Sequence, residues 1–268
     1  MSTSNENYLE SIVQRFYVLG GKSADGLDVE IVKNSGEIIE TEIERYEFSE
    51  LKSYFVKKQQ RKKHEKTFYA LNNETRYINL GEIQAKALKE AFENYQNKKA
   101  IILDLRNYPK NISTDNLANL LYPENSTFIK VMAAKYPSYA EYNIDSALKL
   151  IKNPFKIDKK NKDYYKDKII LLVNSSTASM SEFFAMAIQN SLNCTTLSEQ
   201  TFGAVMNRMV PLKDGTSIDT TGFGAFHPND SSVQRKGLKI DHYLKKNTKN
   251  YKDDFYIEEA LKLIDYSL

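Results

Sequence analysis

Ser179 stands where a serine hydroxyl can become a nucleophile. It lies in Lys168–Asn190, KIILLVNSSTASMSEFFAMAIQN. Ile169 to Val173 is an unbroken apolar run, the pattern of a strand buried on both faces of a parallel sheet. Asn174 to Thr177 is small, polar turn chemistry, and from Met180 onward Met180, Phe183, Phe184, Ala187 and Ile188 form the stripe of a core-facing helix. Strand, turn and helix in that order put Ser179 at a helix N-terminus. Unpaired N–H groups and the positive end of the helix dipole there favour a developing negative charge. A serine so placed can attack a carbonyl while neighbouring backbone holds the oxyanion. Ser175, Ser176, Thr177 and Ser179 are also the residue types that cap helices, and the segment taken alone favours that plainer role.

The elements around this segment decide how it is read. Ile101 to Leu105 is a second buried strand, ending in Asp104-Leu-Arg106-Asn-Tyr-Pro109. Tyr77 to Gly81 reads as a strand, and a helix follows with Leu88, Ala91, Phe92 and Tyr95 on one face. A further helix is expected near Asp115 to Leu121, and a short strand at Thr195 to Leu197. Met209 to Gly215 reads as a strand running into a turn, with Gly222 to His227 as its return; Asp253 to Ile264 closes the chain as a helix. The Tyr- and Lys-rich stretch up to Asp167 has no clear assignment. Strands alternating with helices predict an α/β fold with a mostly parallel sheet. Ligand chemistry in such sheets sits at the carboxyl ends of strands, where both the Asp104–Pro109 and Asn174–Ser179 turns fall.

The N-terminal part differs. Leu9, Ile12, Val13 and Phe16 make one helical face, Gly20-Gly21 stops it, and Leu27–Val32 and Ile38–Ile43 alternate around Asn34-Ser-Gly36 as a β-hairpin. That piece is too small to bury a core unaided. Residues 57–66, KKQQRKKHEK, form a basic run without interleaved aromatics, read as a solvated linker rather than a nucleic-acid contact.

Composition bounds the partners. The chain has 268 residues, 41% hydrophobic and 27% charged, and a net charge of +3, too small to argue for nucleic acid or an anionic membrane. No apolar run reaches membrane-spanning length, and MSTSNENYLE lacks the regions of a signal peptide. Cys194 is the single cysteine, which rules out an internal disulfide and a cysteine-based zinc site; it reads as a packed residue. No metal or organic cofactor is expected.

Several motifs in order resemble the tail-specific, or carboxyl-terminal-processing, serine peptidases. They are Asp104 to Pro109, Val173-Asn174 with Thr177-Ala-Ser-Met-Ser-Glu182, Glu199-Gln-Thr-Phe-Gly203, Pro211 to Gly215, Pro228 to Asp241 with Gln234 and Gly237, and Asp254 to Leu261. The Lys- and Tyr-rich composition is similar to a Bacteroidetes-like branch. The resemblance implies a ClpP/crotonase-like core over residues 67–268. It makes residues 1–50 the C-terminal half of a PDZ-like domain and 51–66 a basic linker. It implies a polypeptide substrate and an extracytoplasmic full-length protein, with Ser179 as nucleophile. The Met180 N–H and backbone near Tyr108 to Lys110 are the implied oxyanion donors, and Gly203 and Ala204 lie against the substrate.

The departures from that family bear on activity. The lysine base that usually follows Thr-Phe-Gly is Ala204 here, the glutamine that steadies it is Arg208, and Lys110-Asn111 replaces a Gly-Gly pair. Among substitutes for the base, His227 lies where the substrate-side strand of the family would run. His64 belongs to the basic linker and His242 to a closing motif. Lys213 and Lys236 sit in polar turns that keep them protonated. Asp104 and Arg106 read as a buried ion pair fixing their turn before they read as catalytic. Two functions follow as expectations: a peptidase acting through Ser179, weak or silent without its base, and a catalytically silent relative that binds peptides or scaffolds a partner. A crotonase-type thioester enzyme fits the turn residues poorly.

Overall fold

In a computed structural model the chain is described at residues 9, 13, 18–21, 26–33, 35–51, 53–54, 66–93, 95, 98–124, 126–134, 148–151, 162–206, 208–220, 223–244 and 254–265. The elements in chain order begin with β1 (Leu27–Val32), β2 (Ile38–Ile43), β3 (Phe68–Ala70), β4 (Thr75–Asn79), α1 (Ala85–Glu93) and β5 (Ala100–Asp104). Next come α2 (Thr114–Leu121), β6 (Lys130–Ala134), β7 (Leu148–Ile151), β8 (Lys168–Leu172) and α3 (Met180–Gln189). The chain closes with β9 (Cys194–Ser198), β10 (Arg208–Pro211), β11 (Ser217–Thr220), β12 (Phe223–Phe226), β13 (His242–Tyr243) and α4 (Phe255–Asp265).

The central sheet has six strands in the order β13-β9-β8-β5-β4-β3. All neighbours run parallel except β3 against β4. The continuous apolar runs explain its middle. Every residue of β5 is buried, as is β8 from Ile169 on, because both faces are covered. Successive side chains point to opposite faces. Ile101, Leu103, Ile169 and Leu171 pack under α1, α2 and α3, while Ala100, Ile102, Ile170 and Leu172 meet Ala260 and Ile264 of α4. Helices on both faces of a mostly parallel sheet make the core an α/β fold, as the sequence pattern predicts.

Three smaller sheets lie outside it among the described residues, the β1–β2 hairpin and two others. β12, β6 and β7 form an antiparallel sheet in that order, and β10 and β11 form a hairpin. Here the expectation fails: the return partner of β10 is β11, and the Gly222–His227 segment supplies β12, which pairs β6 instead. The reason is the tight turn at Asp214-Gly215. Leu212 N–H donates to Thr216 O (2.8 Å) and Asp214 takes Thr216 N–H (3.0 Å), so the chain reverses at once and Pro211 faces Ser217. α3 is buried nearly all round, and Phe183 meets Phe128 edge-on at 5.3 Å.

The hairpin β1–β2 keeps the expected register, Leu27 opposite Ile43 and Val32 opposite Ile38. Ile31, Val32 and Ile38 are exposed on it. Of the N-terminal helical face only Leu9 and Val13 are described; the basic run 57–65, His64 included, lies outside the described residues. Among the described residues, no helix is long and apolar enough to cross a membrane.

Candidate active site

The turn after β8 is strung between its neighbours. Within it, Asn174 N–H donates to Thr177 Oγ1 (2.9 Å), Thr177 N–H to Asn174 O (2.9 Å) and Ser176 N–H to Asn174 Oδ1 (2.9 Å). Outward, Thr177 Oγ1 donates to Leu105 O (3.2 Å) and Phe202 N–H to Thr177 O (3.0 Å). Thr177, fully buried, therefore does the structural work that small polar turn residues suggest. It ties this turn to the chain after β5 on one side and after β9 on the other.

Ser179 is treated differently. It is exposed, its φ is 53° and its ψ −122°, and its side chain makes no capping bond to α3 although it occupies the N-cap position. A non-glycine residue in that region costs of the order of 1–3 kcal/mol and persists only when its surroundings impose it. What imposes it is the Ser179 N–H bond to Ala204 O (2.8 Å). The sequence Ser179-Met-Ser-Glu182 has the form of a capping box, in which serine and glutamate would satisfy each other's backbone. Both partners are diverted: the serine N–H goes to Ala204, and the glutamate goes to the loop before it.

Glu182, fully buried, takes Thr201 Oγ1–H (2.6 Å) and Gly203 N–H (2.7 Å) on Oε1 and Ala204 N–H (2.8 Å) on Oε2. Burial pushes its carboxyl up to about 7, against these three bonds, which favour the charged form. Sequence reasoning quoted Glu182 within a motif and gave it no role. The available signal was a carboxylate on the first turn of an otherwise apolar, buried helix. Gly203 completes the junction. Its φ is 74°, and a side chain there would meet Gly237 N at 2.8 Å, so only glycine admits this crossing of the two segments.

The other expected residues fall around Ser179 as follows. Met180 opens α3, so its N–H has no intrahelical partner, and its side chain is exposed. Tyr108 and Lys110 are exposed on the turn after β5, and no hydrogen bond among the described residues engages their N–H groups. Gly203 and Ala204 have their N–H groups on Glu182. Their carbonyls accept from Arg235 N–H (2.6 Å) and Ser179 N–H (2.8 Å).

The turn after β5 is fixed by charge. Asp104 accepts Arg106 N–H (2.8 Å), Arg106 Nη2 (2.6 Å) and the Tyr77 hydroxyl (2.6 Å), while the guanidinium also forks onto Asp254 at 2.8 and 2.6 Å. Arg106 lies over the Tyr256 ring at 4.7 Å. Burial alone would weaken the charge on Arg106; the two carboxylates outweigh it and hold the guanidinium protonated. The ion-pair reading of Asp104 and Arg106 is what the geometry displays. The packing of this turn on Gly81 also needs glycine, since a Cβ there would lie 2.5 Å from Asn107 Cβ.

His227, half-buried, donates its backbone N–H to Ser231 O (2.9 Å) at the β12 turn; burial and the nearby Lys239 hold its pKa below the usual value. Lys239 lies by the far end of α3, where its carbonyl accepts from Gln189 Nε2 (2.6 Å), and no described hydrogen bond joins His227 to Ser179. His242 is exposed on β13, and Lys213 and Lys236 are exposed in turns. The side chain of Arg208 lies outside the described residues. Cys194, half-buried in β9, packs against the main core. Among the described residues, no group of three His, Cys, Asp or Glu could hold a metal ion.

The chain resembles known proteins in sequence and in fold. It is 27% identical over 173 residues to a carboxyl-terminal-processing protease of Synechocystis sp., covering 62% of this chain and 36% of that protein. It is 28% identical over 174 residues to the carboxy-terminal processing protease CtpA of Bacillus subtilis, covering 60% and 34%. The chain thus spans about a third of the length of these curated relatives. In fold it is similar to the crystal structure of a peptidase candidate from Parabacteroides merdae, with a TM-score of 0.59, 16% identity, and coverage of 74% of this chain and 63% of that one. A mutant of CPAF gives a TM-score of 0.57 at 12% identity, covering 90% and 66%. Residues 74–244, which carry β5, β8, α3 and the junction around Ser179, match Peptidase family S41, and the chain belongs to that family.

Proposed function

We propose that this chain carries the serine-peptidase site of a carboxyl-terminal-processing protease and cleaves polypeptides through Ser179. The observation that carries this reading is the state of Ser179: exposed at the head of α3, in a strained backbone conformation, with its hydroxyl released from the capping bond the position normally makes. Strain held in place by surrounding structure clusters at working sites. The Ser179 hydroxyl adds to a peptide carbonyl, and the oxyanion is received by the Met180 N–H and by an N–H of the Tyr108–Lys110 turn. The amine then leaves with a proton, and water releases the acyl group.

Ala204 cannot supply a base. Without one a serine hydroxyl forgoes an effect of about 10²- to 10⁴-fold, so weak turnover is the expectation. The second reading, a silent peptide binder, is favoured by that same alanine. The substrate-side residues are Tyr108, Lys110, Gly203 and Ala204. His227 is the histidine to test as a base, although its contacts run toward Lys239 and Ser231. Residues 1–50 represent the C-terminal half of a PDZ-like domain, supported by the exposed apolar side chains of β1–β2; 51–66 form a linker and 67–268 the peptidase core. The names of the relatives support a polypeptide partner, and the family resemblance an extracytoplasmic full-length protein.

The test compares wild type, Ser179→Ala and Ala204→Lys on unfolded protein substrates. Turnover that rises with the lysine and vanishes when Ser179 is also removed identifies a peptidase frame lacking its base. Ser179-dependent cleavage by wild type means a base comes from elsewhere, and His227→Ala then decides whether it is that histidine. Peptide binding with no Ser179-dependent cleavage in either background overturns the peptidase reading in favour of the binder.

A further inference from the structure

We infer that Glu182 is a positioning residue: by clamping Thr201–Ala204 onto the first turn of α3 it sets the backbone of Ser179 and so the aim of its hydroxyl. This rests on Ser179 being the nucleophile.

A chain of hydrogen bonds links Glu182 to Ser179. Ser179 N–H is held by Ala204 O, and that carbonyl is fixed because Ala204 N–H is held by Glu182 Oε2. The other oxygen, Oε1, holds the two residues that set the loop's path. Gly203 donates its N–H, and Thr201 donates its hydroxyl while accepting Leu238 N–H (2.9 Å). Arg235 N–H on Gly203 O closes the far side. The strained φ of Ser179 is thereby imposed from a side chain three residues downstream, through a loop more than twenty residues away in sequence.

An ionised carboxylate accepts all three donors. Protonated, it presents a donor on one oxygen, and neither Gly203 N–H nor Ala204 N–H has another acceptor among the described residues. The charged groups on the elements packed here do not substitute for it. Glu199, ahead of the loop, accepts from the Tyr256 hydroxyl (2.6 Å). Arg235 and Lys236, on the segment behind, are exposed; Asp104 and Arg106, at the end of β5, pair with each other; and α3 has no other charged residue. None forms an ion pair with Glu182 among the described residues.

The experiment measures labelling of Ser179 by a fluorophosphonate, in which Oγ forms the P–O bond, fluoride leaves and the hydroxyl proton passes to solvent, together with amide hydrogen exchange. Glu182→Gln keeps the shape but turns an amide NH₂ toward an N–H that needs an acceptor. The expected result is labelling slowed by about 10- to 100-fold, partly restored in Glu182→Asp. An inflection near pH 7 should be present in wild type and absent in Glu182→Gln. The Ser179 and Ala204 amides should exchange faster in Glu182→Gln while those of Leu103 and Ile170 do not change. Wild-type labelling rate, pH profile and exchange in Glu182→Gln would overturn the proposal. Should that variant not fold, the wild-type amides of Ser179 and Ala204 decide it: protection, corrected for intrinsic exchange, should change through an inflection near pH 7, and a flat profile overturns the clamp. Labelling absent from wild type and Ser179→Ala alike defeats the nucleophile reading, and exchange alone then judges the clamp.

Discussion

The two turns that flank Ser179 are held by opposite means. The Asp104–Pro109 turn is fixed by an ion pair, a carboxylate on a guanidinium, with a second carboxylate at Asp254 and an aromatic ring beside them. The Thr201–Ala204 turn is fixed by one buried carboxylate whose donors are all neutral. A carboxylate facing only dipoles in a dry site has its pKa raised by burial, and that of Glu182 is pushed up to about 7. Of these two walls beside Ser179, the one held by Glu182 responds to mild changes of pH.

The largest expected effect comes from breaking the charged wall. Asp104→Asn leaves Arg106 with only the partly exposed Asp254, and removing one partner of a buried pair costs about 3–5 kcal/mol; urea unfolding at neutral pH should register it. A loss under 1 kcal/mol would mean that the turn does not depend on charge.

Next is the pH slope contributed by Glu182. Its folded pKa, about 7, lies above the ordinary 4.5, so the native state binds the extra proton. The contribution is present in full below about 4.5, is lost as pH rises toward 7, and does not change above that. A difference of that size corresponds to something on the order of 3 kcal/mol. Glu182→Gln should flatten the stability profile between pH 5 and 7, and an unchanged slope would place the titration elsewhere. The smallest effect separates the two carboxylates on Arg106. Asp254, partly exposed, is held below its usual pKa by Arg106 although burial opposes this, and Asp254→Asn should cost only about 1 kcal/mol. A loss equal to that of Asp104→Asn would make the two equivalent and remove the distinction between buried and exposed partner.

Sequence reasoning reached the first wall and not the second, for a physical reason. Asp104 and Arg106 are two residues apart at the end of a strand whose apolar run is unmistakable, so their pairing is local. Ser179 was legible for the same reason: a buried strand, a polar turn and an amphipathic stripe are short-range patterns. The partners of Glu182 lie 19 to 22 residues further on, and its spacing from Ser179 imitates a local cap. Asp254 meets Arg106 across 148 residues, which no periodicity records. The pairing of β12 with β6 was hidden likewise, since an alternating strand after a turn looks like the return of the nearest hairpin. β3 and β13, of three and two residues, are too short to carry a pattern at all.

The crossing of Gly203 with the segment at Gly237 also orders events in time. Loops that join distant stretches of chain are slow to close, because their entropy is lost before their contacts form. The bonds from Arg235 and Leu238 that brace the loop, and the Asp254 contact that braces the opposite turn, come from residues synthesised after Ser179. A growing polypeptide that has already made its serine still lacks the parts that bend it into shape. The hydroxyl is thus unaimed until those later segments have been made and have docked.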